Sequence, residues 1–185
     1  MSKAVLISIR PEWCEKILSG EKTLEIRKTR PKIEPPFHVY IYCTKPKFDH
    51  EDFIVSDAGT NKMRALYGGG KVIARFTCDA ILPISVTYSD PNHHLALREF
   101  PGTCLTDKQI MDYLGNGGGG YAWHISDLVI YDEPRELSAF RRHCVNDLWC
   151  ESCAMYSTNR ETCNNASVQI TRPPQSWFYV EDQPY

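Results

Sequence analysis

The spacing of apolar residues along this chain predicts short strands alternating with short helices. Residues 4–9 are apolar and largely β-branched, which predicts a first strand. Apolar residues then recur at helical spacing over 11–19, and Pro11 and Gly20 suit the start and the end of a helix. Residues 23–29 alternate apolar and polar side chains, the period of a strand with one buried face.

The remaining chain continues this pattern, with more strands than helices. The same criteria predict strands over residues 38–43, 71–84, 121–131 and 177–180 and helices over 106–114 and 136–143. The run over 71–84 is long enough for one bent strand or two successive ones. Residues 44–61 are polar and lack a period, which predicts an irregular loop or insertion. These elements together predict an α+β fold, namely a small mixed β-barrel with flanking short helices.

Length and composition indicate a single domain. A chain of 185 residues, 42% of them hydrophobic, buries one genuine core but is short for two ordinary domains. Charged residues at 24% and aromatic residues at 11% are ordinary for globular proteins, which excludes a disordered chain, a coiled coil and a collagen-like fibre. We therefore expect residues 1–185 to fold as one domain.

The distribution of apolar residues also bears on location and partners. No run of about 18 apolar residues occurs, so no membrane span is predicted. Residues 1–10 alternate and lack the longer apolar core of a signal peptide. We therefore expect a cytoplasmic protein without membrane contact, either a monomer or a weak homo-oligomer.

The net charge of −2 conceals an uneven distribution of charge. Residues 1–75 hold 14 Lys and Arg against 9 Asp and Glu, and the rest of the chain holds 7 against 14. The first part thus carries +5 and the second −7. At a net charge of −2 the whole protein is only weakly attracted to nucleic acid. A positive patch formed by residues 1–75 nevertheless suits a phosphate-bearing partner.

The positive charge is concentrated in one short segment. Gly20, Lys22, Glu25 and Arg27 form the motif G-x-K-x-x-E-x-R, and residues 22–32 contain five cations but one carboxylate. On the predicted strand, Glu25 and Arg27 share one face while Lys22 lies at its start, so this wall is a candidate anion site. The alternative is a solvated edge strand whose charges protect it from aggregation.

The order of these elements resembles the ASCH domain of the PUA-like superfamily. The match rests on the first strand, the helix opened by Arg10-Pro11 and the G-x-K-x-x-E-x-R motif, and it is strongest over residues 4–31. It extends more loosely to residues 120–125, which are similar to a late core strand of that family. The resemblance implies a β-barrel of five or six strands with flanking helices, and a cleft that receives RNA, a nucleotide or a base.

The resemblance also implies hydrolysis as an alternative to binding. Some ASCH proteins are amidohydrolases acting on N4-acylated cytidine, and related domains are ribonucleases. The amidohydrolases use a Lys that corresponds to Lys22, a Thr three residues later and a Glu on a distant strand. Here the Thr position is Glu25, and Asp79 is the one acid within 71–84. Lys22 and Glu25 are the candidate catalytic residues, since a desolvated Lys can act as a base or nucleophile. A structural or phosphate-binding ion pair is the alternative role for the two.

A binding function would use the cations together with an aromatic ring. Arg27 and Arg30 would grip phosphate or a base edge through their planar donor forks. The ring of Trp13, Trp123 or Trp177 would stack on a base, although burial in the core is the alternative for each. The candidate nucleic-acid-binding residues are Arg10, Lys22, Glu25, Arg27, Lys28, Arg30, Arg172 and Trp177.

Four clustered cysteines form a second candidate site. Cytoplasmic thiols stay reduced, so the cluster is better explained by metal binding than by disulfides. Cys150 and Cys153 have the short spacing that lets two thiolates reach one tetrahedral ion. With Cys144 and Cys163 they predict a structural Zn²⁺ site that pins an insert at about 143–165. A histidine in place of one cysteine, free thiols and an oxidised pair are the alternatives.

Three classes of function remain open at this point. The first is binding of RNA or a modified nucleotide in a basic cleft, the second is hydrolysis there with Lys22, and the third is interaction with a protein. A binding module saturates with RNA without turnover. An enzyme consumes its substrate in a Lys22-dependent way, and an interaction module does neither.

Overall fold

The computed structural model describes residues 2–45, 52–56, 63–85, 101–115, 118–144, 156–157, 162–163 and 165–183. Its strands are β1 Lys3–Ile9, β2 Leu24–Arg27, β3 Phe37–Cys43, β4 Asp52–Ser56, β5 Met63–Tyr67, β6 Val72–Cys78, β7 Ile81–Ser85, β8 Gly119–His124, β9 Ser126–Arg135, β10 Tyr156–Ser157, β11 Thr162–Cys163 and β12 Trp177–Glu181. Its helices are α1 Pro11–Leu18 and α2 Asp107–Leu114.

A five-stranded sheet in the order β12-β1-β3-β6-β9 forms the larger part of the fold. β1 and β3 are parallel neighbours with Ile9 opposite Cys43, and the other pairs are antiparallel. Every residue from Ala4 to Ile9 is buried, as expected for a central strand covered on both faces. The two parallel strands end side by side, which places Arg10 and Thr44 at the same edge of the sheet.

Both helices form close to the predicted bounds. Pro11 occupies the first position of α1, where its missing N–H has no intrahelical partner to lose, and Gly20 follows with a φ of 79°. α2 begins with a capping box, in which the Thr106 hydroxyl accepts from the Gln109 N–H and the Gln109 side chain accepts from the Thr106 N–H. Gly115 ends it with a φ of 89°. None of the helices among the described residues has the length and apolar content needed to cross a membrane.

A smaller three-stranded sheet, in the order β2-β8-β7, carries the basic segment at its edge. Its two strand pairs are antiparallel. Leu24 and Ile26 of β2 pack with Ile110 and Leu114 of α2 in one buried cluster. The helix therefore covers the apolar face of β2.

The main core lies between the two sheets. Its centre is Trp123 of β8, which is fully buried among aliphatic residues of β1, β3 and β6. The Trp123 ring makes edge contacts with Phe37 and Trp177, with ring centroids 6.2 and 5.8 Å apart. This packing fixes the small sheet against the large one.

The predicted α+β class is confirmed, while some elements differ. The run over 71–84 is two successive strands, β6 and β7. The helix predicted over 136–143 is wrong, because a single 3-10 turn, Leu137–Ala139, is followed by β-bridges from Arg141 and Arg142. The irregular loop predicted over 44–61 is wrong where β4 pairs with β5.

The predicted barrel is not observed as a closed ring of strands. Within the described ranges, pairing stops at β12 and β9 in the large sheet and at β2 and β7 in the small one. The sheets are connected instead by packing around Trp123 and by Arg27, whose guanidinium donates to the carbonyl oxygen of Ser8.

Gly102 fixes the start of β2, and its replacement tests this fold. Its carbonyl accepts from the N–H groups of Thr23 and Leu24, its φ is 94°, and an added Cβ would collide with the Thr23 hydroxyl. We expect Gly102→Ala to lower the free energy of unfolding by about 1–3 kcal/mol more than Gly115→Ala, because Gly115 shares the positive φ but has open space around it. Urea denaturation measures both losses, and equal values would contradict the expectation.

Candidate functional site

The charged face of β2 points into the protein interior. Glu25 lies directly opposite Trp123 in the pair with β8, and Arg27 lies opposite Tyr121. Such cross-strand neighbours share one face, which here is the face toward the main core. Lys22, Glu25 and Arg27 are only 2%, 7% and 8% exposed. A solvated edge strand is therefore the wrong interpretation, because α2 covers one face of β2 and the two sheets enclose the other.

Lys22 is surrounded by three acceptors. Its Nζ donates to the carbonyl oxygens of Leu24 and Thr103, each at 2.7 Å, and lies 3.4 Å from a carboxylate oxygen of Glu25. An ammonium group has three protons, so these contacts satisfy the charged form. Burial lowers the pKa of Lys22, and the Glu25 carboxylate opposes this shift. The ring of Trp13 lies 5.6 Å from Nζ and adds a cation–π contact.

Arg27 connects Glu25 to the first strand and keeps spare donors. Its Nη2 donates to the second carboxylate oxygen of Glu25 at 2.8 Å and to the carbonyl of Ser8 at 2.7 Å. Its Nη1 has a long contact of 3.5 Å with the Ser176 hydroxyl. Its Nε is buried with no hydrogen-bond partner among the described residues. Buried donors without partners cost free energy, and an acceptor from a ligand would remove part of that cost.

Lys22, Glu25 and Arg27 form what we call the ionic triad. Each oxygen of the Glu25 carboxylate contacts a different cation, and the triad carries one positive charge in excess. Charges that are removed from water are tolerated when they are paired and hydrogen-bonded. The triad is therefore a fixed, cationic group inside the protein.

A cleft of about 940 Å³ opens beside the ionic triad. Its size is within the range of about 300–1,000 Å³ that small-molecule sites have. One wall is the segment 173–176, which is held along β1 because the Ser8 hydroxyl donates to the Pro174 carbonyl at 2.7 Å and the Ser8 N–H donates to the Ser176 carbonyl at 3.0 Å. Beyond the triad, the side chains with binding chemistry that line it include Arg10, Trp13, Tyr42, Lys45, Gln109 and Tyr113.

Half of the predicted binding residues meet at this cleft. Arg10, Lys22, Glu25 and Arg27 all line it. The three residues of the triad form its buried part, whereas the Arg10 side chain is 77% exposed and lies at the rim. The cleft thus has a buried cationic end and an accessible cationic rim.

The other predicted cations lie outside the lining. Lys28 is exposed, with its Nζ 5.4 Å from the centre of the Tyr113 ring at the cleft. Arg30 forms an ion pair of 3.2 Å with the exposed Glu34. Arg172 is exposed and directly precedes the lining segment 173–176. These three are not brought into contact with the ionic triad.

Of the three tryptophans considered for stacking, Trp13 lines the cleft. Trp123 is the centre of the core. Trp177, a predicted binding residue, packs against Trp123 and donates its indole N–H to the Thr29 hydroxyl at 3.1 Å. Trp123 and Trp177 therefore pack in the core, which was the alternative to stacking on a base.

Asp79 lies away from the cleft. Its carboxylate is 2.6 Å from Nδ1 of His124, and both side chains are more than two-fifths exposed. Neither lines the cleft. Asp79 is therefore not placed to share a proton with Lys22, as a distant carboxylate does in the amidohydrolases that the sequence resembles.

Several cleft residues escaped the sequence analysis. Tyr42 of β3 is buried, which raises the pKa of its hydroxyl and keeps it protonated as a donor. Gln109 and Tyr113 are four residues apart on α2, a spacing that indicates one helix face. Lys45 reaches the cleft because β3 is parallel to β1 and ends beside Arg10, which local sequence patterns do not reveal.

The predicted zinc ligands fall largely outside the described residues. Cys150 and Cys153 lie outside them, Cys144 is a partly exposed free thiol, and Cys163 belongs to β11. Among the residues that the structure describes, no group of three or more His, Cys, Asp or Glu is placed to hold a metal ion.

Removal of the Lys22 charge tests the ionic triad. We expect Lys22→Met to lower the free energy of unfolding by about 3–5 kcal/mol, because it removes one of the two cationic partners of the buried Glu25 carboxylate and the donor to the carbonyls of Leu24 and Thr103. Lys16→Met, which removes the exposed ion pair with Glu21, should change stability little. Urea denaturation at neutral pH gives both values. A loss for Lys22→Met no larger than for Lys16→Met would show that the triad does not stabilise the fold.

Comparison with known proteins gives the fold. No family model and no curated protein matches the chain. Crystal structures of an ASCH protein from Zymomonas mobilis and of two of its point mutants are similar to it, each at 21% identity. The unmutated protein aligns over 96% of this chain and 87% of its own with a TM-score of 0.52. The mutants align over 97% and 96% of this chain and 91% and 88% of their own, both with a TM-score of 0.51. The likeness extends over nearly the whole chain, and this protein therefore has an ASCH-like fold.

Proposed function

We propose that the protein binds RNA or a nucleotide in the cleft beside the ionic triad. The observation that carries this proposal is Arg27, which lines the cleft and whose buried Nε has no hydrogen-bond partner among the described residues. Phosphate oxygens accept charge-assisted hydrogen bonds from a guanidinium, which are stronger than bonds between neutral groups. The ASCH-like fold agrees with this proposal, because the sequence resemblance implies the same class of ligand.

Charge and stacking surface support the same ligand. Among the described residues, the lining contains four cations and two carboxylates, an excess of two positive charges. Trp13 and Tyr113 offer aromatic surface at the cleft. Stacking of a base on such a ring contributes about 1–3 kcal/mol. A ligand with both a phosphate and a base therefore uses the whole cleft.

The contacts of Lys22 favour binding over hydrolysis. A general base or nucleophile needs a lone pair that reaches the substrate. The Nζ of Lys22 is buried, and in its charged form every proton has an acceptor. Hydrolysis of N4-acylated cytidine or of RNA is the second candidate, because desolvation lowers the pKa of Lys22 and favours its reactive neutral form.

The PUA-like barrel that the sequence predicts belongs to the same proposal. A PUA-like barrel would form if the edge strand β2 of the small sheet approached the edge strand β12 of the large sheet, and the hydrogen bond from the Trp177 indole of β12 to Thr29, just after β2, supports that approach. A role as a protein-interaction module is a further alternative, in which the cleft would bind a peptide instead of a nucleotide.

Replacement of Arg27 tests the binding proposal. We expect Arg27→Gln to weaken binding of a short fluorescein-labelled single-stranded RNA by about tenfold or more, because a charge-assisted contact with phosphate is lost. Arg172→Gln removes an exposed cation outside the cleft and should leave the affinity unchanged. Fluorescence anisotropy at one fixed salt concentration measures the three dissociation constants.

The same experiment includes controls for correct folding and for turnover of the ligand. Thermal unfolding shows whether Arg27→Gln is folded, and Arg27→Lys, which keeps the charge but not the fork, replaces it if it is not. Equal affinity of a folded Arg27 variant and the unaltered protein would contradict the proposal. Consumption of RNA or of N4-acetylcytidine that depends on Lys22 would assign the cleft to hydrolysis.

We also propose a structural Zn²⁺ site formed by Cys144, Cys150, Cys153 and Cys163. The spacing of Cys150 and Cys153 supports it. Cys144 is a free thiol, and Cys163 pairs with Tyr156 in the short β10–β11 hairpin. Four thiolates would leave no open coordination position, so the ion would pin this part of the chain and take no part in chemistry.

Metal analysis tests the zinc proposal. We expect stoichiometric zinc in protein purified without chelator, and a lower melting temperature after zinc is removed with EDTA, because the ion stabilises the segment that it pins. Cys150→Ser should lose the zinc, whereas Cys104→Ser, outside the cluster, should retain it. Substoichiometric zinc together with four titratable thiols in the cluster would contradict the site.

A further inference from the structure

We infer that the rim of the cleft contains a second anion subsite, formed by Arg10 and Lys45, and that the ligand therefore carries two phosphate groups separated by a sugar. The inference rests on the proposed function, in which Arg27 is the deep anion site. The ligand class is then a dinucleotide segment of a nucleic acid strand, in contrast to a single nucleotide.

The strand topology places Arg10 and Lys45 together. β1 and β3 are parallel, Ile9 is opposite Cys43, and the Thr44 N–H donates to the Ile9 carbonyl at 2.9 Å. Both chains therefore leave the sheet at the same edge, and both cationic side chains line the cleft. The carboxyl ends of parallel strands are the edge at which open sheets commonly bind ligands.

Both cations are accessible to a ligand. The Arg10 side chain is 77% exposed, and its contact with the exposed Glu12 is long, at 3.8 Å. Lys45 is exposed, and no carboxylate in the described part of the chain forms an ion pair with it. Its stem lies against Gly70, where an added Cβ would be 3.0 Å from Lys45 Cε. The stem is thus supported while the ammonium group remains available.

The carboxylates at the cleft have cationic partners of their own. Glu25 is bound by both cations of the ionic triad. Asp112, the other carboxylate that the described residues contribute to the lining, forms an ion pair of 2.8 Å with Lys108 of the same helix. These two carboxylates therefore do not neutralise Arg10 and Lys45 at the rim, and both cations can bind a ligand.

The separation of the two subsites selects the ligand class. The buried Arg27 contacts the carbonyl of Ser8, whereas Arg10 follows Ser8 by two residues, about 7 Å of backbone along an extended strand, and its side chain is 77% exposed at the rim. The two phosphorus atoms of a nucleoside diphosphate share one bridging oxygen and lie too close together for both subsites. Neighbouring nucleotides keep a sugar between their phosphates. Two phosphate groups also match the two excess positive charges that the described residues bring to the lining.

Titration calorimetry with defined nucleotides tests the inference. The probes are the 5′-phosphorylated dinucleotides of adenosine, cytidine, guanosine and uridine, each compared with its own nucleoside monophosphate and diphosphate. For the base that binds best, we expect the dinucleotide to bind about tenfold more tightly than either smaller ligand, because one more charge-assisted contact is formed. The double variant Arg10→Gln/Lys45→Gln should lose this difference. Lys3→Gln/Lys71→Gln, which removes two cations outside the cleft, should behave as the unaltered protein.

The outcomes separate the inference from the proposed function. Equal affinities for dinucleotide and monophosphate, tighter binding of the diphosphate, or a dinucleotide preference that survives in Arg10→Gln/Lys45→Gln would overturn the second subsite while nucleotide binding stands. Loss of monophosphate binding in that variant would also overturn it, because the rim would then not be a separate subsite. No binding of any probe to the unaltered protein would overturn both the inference and the nucleotide-binding proposal.

Discussion

The candidate site depends on one carboxylate, Glu25, which lies buried between two cations. Lys22 contacts one of its oxygens and Arg27 the other. Charges interact strongly at low dielectric, so such a group is costly to assemble and resists distortion once every partner is present. The two cations exceed the one carboxylate by one positive charge, and all three residues line the cleft.

The fold keeps this group in place by burying both faces of a short edge strand. On one face, α2 packs its apolar residues against Leu24 and Ile26. On the other, Glu25 and Arg27 face the core around Trp123. The strand start is fixed by Gly102, whose carbonyl binds two successive N–H groups. The cleft is thus a consequence of how the small sheet packs on the large one.

Local patterns predicted the strand, helix and strand that open the chain, because caps, turns and periodicity are properties of neighbouring residues. They also placed Glu25 and Arg27 on one face of β2 and Lys22 at its start, as the structure has them. The burial of the charged face of β2 was not predictable, since charges on an alternating strand ordinarily face water. Here α2 and the large sheet, which come from distant parts of the chain, exclude water from the strand. Lys45 was missed for a similar reason: its place beside Arg10 follows from the parallel pairing of β1 and β3, which joins distant segments.

In the proposed complex, the buried Arg27 guanidinium, held by Glu25, receives the phosphate of a ligand. Its ¹⁵N side-chain resonances, assigned by their loss in Arg27→Lys, report on this contact directly. We expect a saturable shift of these resonances when a nucleoside monophosphate is added, and no comparable shift with the unphosphorylated nucleoside. Binding of the monophosphate that leaves the Arg27 resonances unchanged would contradict the account.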